Sequence, residues 1–220
     1  MSLPPPSSNQ AYCDVSALEG GTILLYTHRF IHDGIPGEAL TVPSLSFLLR
    51  HSKTAQKFLF DLGIRKDWEN YTPSTVRYIK NDPRIEVKQD VFESLQKGGL
   101  VPEDIEIVCL SHLHYDHTGD TSPFVNSTFL VGGPSKTLVT PGYPADPESL
   151  YASDLLPAER TRFLDMEGWE PLGPFPRALD YYRDGSLYII DAVSRRSQLT
   201  ELMIWLMTSA FTGRSSTRTY

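Results

Sequence analysis

The apolar run IEIVCL (residues 105–110) leads without a break into SHLHYDHTGD (residues 111–120). A short apolar run bounded by turn residues reads as a buried strand, so the polar stretch is the loop leaving its end. In an extended segment, residues two apart face the same way. The imidazoles of His112 and His114 can therefore converge on one ion, with Asp116 on the same side. His117 points elsewhere, but a tight turn after Asp116 would let Asp116 and His117 address a second ion, and Thr118-Gly119 supplies small residues for such a turn. Imidazole nitrogen with carboxylate oxygen suits zinc, with iron or manganese as alternatives. The plain alternative is a solvated polar loop.

Around this segment, apolar runs predict strands at residues 22–30, 43–50, 56–62 and 127–132. Helices are expected from about Pro73 to Lys80 and over DVFESLQKGG, with Asp90 as N-cap and Gly98-Gly99 as the stop. RALDYYRDGSLYIIDA reads as a hairpin turning at Asp184-Gly185. Strands alternating with helices give an α/β or α+β class. A chain of 220 residues fits one ordinary domain, and 40% hydrophobic content excludes wholesale disorder. The net charge of −7 argues against nucleic acid or an anionic membrane as the main partner. Cys109 reads as a core thiol, since two cysteines make no disulfide framework. Residues 1–20 read as a frayed polar end without signal-peptide features, which makes the cytosol the default location.

Residues 132–177 hold eight of the 17 prolines, a density that rules out a long helix or a central strand. The segment is expected to form a lid whose Tyr143, Tyr151 and Trp169 shape a substrate pocket, with a plain surface excursion as the alternative.

HLHYDH (residues 112–117) resembles the H-x-H-x-D-H signature of the metallo-β-lactamase superfamily, and FLFDLG (residues 58–63) resembles its upstream F-D-x-G strand. The likeness runs from about residue 20 to 192. It is greatest to the lactonase-type branch, including fungal relatives of acyl-homoserine lactonases, with glyoxalase II-like thioesterases next. The resemblance implies an αββα sandwich with two zinc ions at one edge of its sheets. By it, His112 and His114 serve the first ion, and Asp116 and His117 the second. A metal-bound hydroxide would then open a lactone or related ester or thioester, with Asp116 also steering a proton to the leaving group. Asp61 is a candidate for orienting the histidines, or for a strand-end hydrogen bond.

The family's further histidines and bridging aspartate have no counterpart here, because no histidine follows His117. Substitution by His28 or His32 is the weaker expectation. Residues 193–220 instead form a tail with four arginines, one glutamate and ten Ser or Thr. Leu199, Leu202/Met203, Leu206/Met207 and Ala210/Phe211 stand at helical spacing. Readings of this tail are a capping helix, an interfacial helix, or sequence out of frame after residue 192, the last being expected, with the second half of the sandwich incomplete. A catalytically inactive homologue that only binds metal or a small molecule is the alternative function, and slow turnover is the expectation.

Overall fold

The computed structural model describes residues 5–81, 84–193 and 200–206. Strand β1 (Cys13–Tyr26) turns through the short helix α1 (Thr27–Phe30) and returns as β2 (Ala39–His51), followed by β3 (Lys57–Phe60). Next come α2 (Pro73–Asn81), β4 (Ile85–Glu86), α3 (Val91–Lys97) and β5 (Ile107–Cys109). After α4 (Tyr115–Thr118) and β6 (Thr128–Gly132) lie β7 (Thr161–Leu164), β8 (Glu170–Leu172) and β9 (Phe175–Asp180). The last two strands are β10 (Leu187–Val193) and β11 (Thr200–Leu206).

These strands make a seven-stranded mixed sheet in the order β4-β1-β2-β3-β5-β6-β7 and a four-stranded sheet in the order β11-β10-β9-β8. Strand β5 runs parallel to β3 and β6 and is buried along its length, which is why its sequence is apolar without alternation. Its residues nonetheless alternate in what they touch. Val108 packs with Leu59 and Phe129 on the side where α3 brings Val91 and Leu95. Ile107 and Cys109 pack with Phe58 and Leu130 against Leu187 and Ile189 of β10. The described part is therefore helix on sheet on sheet, with β5 in the middle layer. Burying side chains such as Phe58 and Phe129 contributes about 1.5–3 kcal/mol each.

Local signals explain the element ends. Asp90 Oδ1 accepts the Glu93 N–H at 2.9 Å while the Glu93 carboxylate accepts the Asp90 N–H, a reciprocal cap that starts α3. Gly99, at φ +77°, follows its end. Asp180 accepts the Gly185 N–H at 2.9 Å and closes the β9–β10 hairpin. Both cysteines are free and buried. No helix among the described residues is long and apolar enough to cross a membrane.

Three expectations need correction. Strand β1 begins at Cys13, so part of the N-terminal stretch expected to fray is paired with β2. Gly20 and Gly21 form a bulge within this pairing: two residues of β1 face the single Ser44 of β2. The strand expected to reach residue 30 ends at Tyr26, where α1 begins. The apolar tail segment is a strand where its spacing suggests a helix: β11 pairs antiparallel with β10, from Leu187↔Leu206 to Val193↔Thr200. A dense apolar run satisfies both periods, and the edge of β10 supplies the backbone partners that decide between them. Leu199, Met207, Ala210 and Phe211 lie outside the described residues.

Within residues 132–177 no long helix forms, but the exclusion of a central strand needs correction, because β9 begins at Phe175 and lies between β8 and β10. Strand β7 lies at a sheet edge, Pro171 lies on the edge strand β8, and Pro176 lies in the bulge where two residues of β9 oppose one of β8.

Candidate metal centre

The histidine loop leaves the buried end of β5 and is held from beneath by two close backbone approaches. A Cβ on Gly63 (φ +65°) would lie 2.5 Å from Gly20 Cα, and one on Gly119 (φ +49°) would lie 2.5 Å from the Leu62 carbonyl oxygen. Only glycine permits that approach and that φ together. Backbone hydrogen bonds then tie the layers: Ile64 N to Gly20 O at 2.8 Å, Leu62 N to His117 O at 2.8 Å and Gly119 N to Gly63 O at 2.9 Å. Ser44 Oγ, opposite the β1 bulge, donates to the Asp116 carbonyl.

On this platform the imidazoles gather. His112 Nε2 lies 3.0 Å from His114 Nδ1, and the His112 ring centroid lies 4.1 Å from that of His117. Ser111 Oγ donates to Asp61 Oδ2 at 2.8 Å and lies 3.0 Å from His112 Nδ1. Asp61 is 2% exposed, accepts the Ser111 N–H at 2.7 Å through Oδ1, and meets His117 Nδ1 at 2.7 Å through Oδ2. The other ring nitrogen of His117 lies 3.4 Å from Asp116 Oδ2.

Burial, helped by the neighbouring His117 and His114, pushes the His112 imidazole down to about 3 and keeps it a neutral donor. Burial also opposes charge on His117, but the carboxylates of Asp116 and Asp61 outweigh it and push that imidazole up to about 10. Burial disfavours the ionised Asp116, yet His117 holds its carboxyl below the usual carboxylate value. The donors fit a divalent cation in kind, nitrogen with carboxylate oxygen. His112 Nε2 and His114 Nδ1 face each other at hydrogen-bonding distance. Among the described residues, no three His, Cys, Asp or Glu side chains converge as a complete ligand set.

The remaining histidines are engaged elsewhere. His51 is buried at the end of β2, bonded to Thr54 Oγ1 and Asp184 Oδ2. His32 pairs with Asp33, and His28 lies exposed on α1. Asp180 and Asp184 serve the hairpin, and Asp191 pairs with Arg177.

A cavity of about 950 Å³ opens over the donors, within the size range of small-molecule sites. Tyr151 lies on its wall with Tyr26, Tyr71, Tyr78 and Tyr115. Tyr143 lies behind that wall, its N–H donating to the Tyr151 carbonyl at 2.8 Å. Trp169 packs against the cluster between the two sheets instead. Sequence reading did not single out Ser111, although it stands in the motif itself. It also passed over Tyr71, whose hydroxyl donates to the Tyr115 carbonyl at 2.6 Å and accepts the Arg65 N–H at 3.1 Å. Nothing in the sequence near Tyr71 announces that bridge.

Comparison with known proteins adds the family. The chain is 36% identical over 200 residues to the Metallo-hydrolase mfmC of Annulohypoxylon moriforme, covering 86% of this chain and 52% of that protein. It is 35% identical over 203 residues to the protein named Cytochrome P450 monooxygenase mpaDE' of Penicillium brevicompactum, covering 87% of this chain and 23% of that protein. The chain thus spans between about a quarter and about half the length of these curated relatives. Its fold is similar to a solved N-acyl homoserine lactone hydrolase with the product N-hexanoyl-L-homoserine bound at the catalytic metal center. The TM-score is 0.63 at 16% identity, covering 96% of this chain and 73% of that one. The model of the metallo-beta-lactamase superfamily matches residues 40–201, a span that contains Asp61, the whole histidine loop and both sheets' central strands, and by that match the chain belongs to this superfamily.

Proposed function

We propose that the chain acts as a metal-dependent hydrolase that opens a lactone or a related ester or thioester. The observation that carries this reading is the 3.0 Å approach of His112 Nε2 and His114 Nδ1 beneath a cavity of about 950 Å³. His112 and His114 would hold one divalent ion, and Asp116 and His117 a second beside it, zinc being the ion their chemistry suits. When bound, such ions lower the pKa of a water and polarise a carbonyl. Asp61 fixes the Nδ1 side of His117 and leaves Nε2 for the cavity. Ser111 keeps Asp61 in place through both its N–H and its hydroxyl. Asp116, held ionised beside His117, would accept a proton from the attacking water and pass it to the leaving oxygen. The apolar and aromatic wall around Tyr151 excludes water from the rest of the substrate.

A second reading, the same fold as a metal- or small-molecule-binding protein with little turnover, is favoured by the incomplete ligand set among the described residues. One paired experiment separates the two. Zinc content and hydrolysis of γ-butyrolactone are measured on the full chain and on His112→Ala/His114→Ala. Metal with turnover, both lost in the variant, supports the hydrolase. Metal without turnover supports the binding protein, and equal metal content in both proteins removes the site assignment.

A further inference from the structure

The cavity is far larger than the donors at its floor need, and its walls are not uniform. Tyr115 stands between His114 and Asp116, with its ring 6.1 Å from that of Tyr71 and 6.1 Å from that of Tyr78, at interplanar angles of 72° and 61°. Tyr78, on α2, lies at the outer end of this series. The three rings form one aromatic wall running from the donors to the rim.

The rim itself is built and fixed. The hydroxyls of Thr72 and Thr75, both buried, donate to the Leu150 carbonyl at 3.2 and 2.8 Å. That latch docks the proline-rich segment on the start of α2. Tyr78 lies one turn after Thr75, on the same helical face, and lines the same cavity as Leu150. Both side chains line the cavity, yet Tyr78 is 49% and Leu150 51% exposed. Large apolar surface left in water on the rim of a preformed cavity is surface that a ligand can cover.

We infer that Tyr78 and Leu150 determine specificity, selecting a substrate whose scissile carbonyl group is attached to, or fused with, an aromatic ring. The reacting bond sits over His112 and His114, and the ring lies along Tyr115 and Tyr78 beneath Leu150. A flat ring gains edge-to-face contact with these tyrosines beyond its buried area, which a straight alkyl chain of equal carbon count does not. The latch keeps the rim in place before the ligand arrives, so little ordering entropy opposes binding. This inference deepens the hydrolase reading and rests on it for the position of the scissile bond.

The test measures binding, so it does not depend on turnover. Calorimetry on the full chain compares 3-(2-hydroxyphenyl)propionate, the opened form of dihydrocoumarin, with 4-hydroxybutyrate, the opened form of γ-butyrolactone, and with nonanoate. The unaltered protein is expected to prefer the aryl acid to both. Tyr78→Ala and Leu150→Ala are each expected to lower the aryl-over-aliphatic ratio about 3–10-fold. Tyr78→Phe should restore the ratio, and Val101→Ser, an exposed apolar position off the cavity, should not move it. Equal affinities, a preference for nonanoate, no detectable binding, or a ratio unmoved by either truncation overturns the inference. Hydrolysis of both lactones is followed in parallel. A moved ratio without any turnover would leave an aryl-binding rim at Tyr78 and Leu150 and remove the hydrolase reading. Turnover with an unmoved ratio would do the reverse.

Discussion

Asp61 and His117, 56 positions apart in sequence, meet at 2.7 Å between Oδ2 and Nδ1. Asp61 holds this contact from a left-handed backbone at φ +58°, a region that Asp enters more readily than most residues. Its two oxygens also take the N–H and the hydroxyl of Ser111. A buried carboxylate at the end of β3 is thereby fully used, and it sets the ring plane of a histidine delivered by the neighbouring strand's loop.

Replacing Asp61 should act on metal affinity before it acts on fold. Asp61→Asn keeps the tolerance for this backbone but loses the charge facing His117, and is expected to weaken zinc affinity about 10–100-fold. Asp61→Ala also strands the Ser111 donors and the His117 ring, and should cost about 3–5 kcal/mol of stability. Chelator competition and urea unfolding measure the two effects. Unchanged zinc affinity in Asp61→Asn would reduce Asp61 to a strand-end hydrogen bond.

The double variant His112→Ala/His114→Ala should bind no zinc detectable by elemental analysis while remaining folded, because both rings lie on a loop beside the cavity. A circular dichroism spectrum matching that of the unaltered protein establishes the fold. Retained zinc would place the ion elsewhere.

Strand and helix positions were legible wherever a side-chain pattern creates them. The buried β5, the Asp90 cap and the Asp184-Gly185 hairpin each follow from residues that touch their own neighbours. The clustering of His112 and His114 was equally readable, since two residues in extended backbone share a face. What stayed hidden depends on contacts distant in sequence. Gly20 and Gly63 carry no side chain whose pattern could place them, and only their mutual approach makes them the platform of the site. Trp169 reads as one of the lid's aromatics, yet it packs on the apolar cluster between the two sheets, formed by residues far from it in sequence. The tail segment is ambiguous between periods until β10 offers it an edge.

That glycine platform predicts a sharp contrast between two substitutions. Gly63→Ala places its Cβ 2.5 Å from the Gly20 backbone and also forces φ +65° on a residue with a side chain. The φ cost alone is about 1–3 kcal/mol, and the overlap with backbone adds to it because no rotamer relieves it. Gly37→Ala, at φ +87° but with open space around it, should pay the conformational part only. Urea unfolding of both is expected to show Gly63→Ala the weaker by at least about 1 kcal/mol. Equal losses would mean that β1 and the β3 loop separate easily.

The hairpin anchor supplies the pH dependence. Burial raises the Asp184 carboxyl, but the Ser186 hydrogen bond at 3.1 Å and the His51 ring at 3.0 Å outweigh it and hold the carboxyl below its usual value. A group whose native pKa is depressed binds fewer protons folded than unfolded. Its stabilisation is therefore present above the ordinary carboxylate value and is lost as pH falls through the depressed native one. The unaltered protein should lose stability below about pH 4, and part of that loss should be absent in Asp184→Asn. Asp184→Asn should be the less stable of the two at neutral pH, where the carboxylate is fully ionised. Denaturation midpoints from pH 7 downward provide the measurement. Parallel curves for the two proteins would show that the His51–Asp184 contact is electrostatically neutral to the fold, leaving the close stacking of His51 on Tyr182, at 4.3 Å between ring centroids, as what holds that corner.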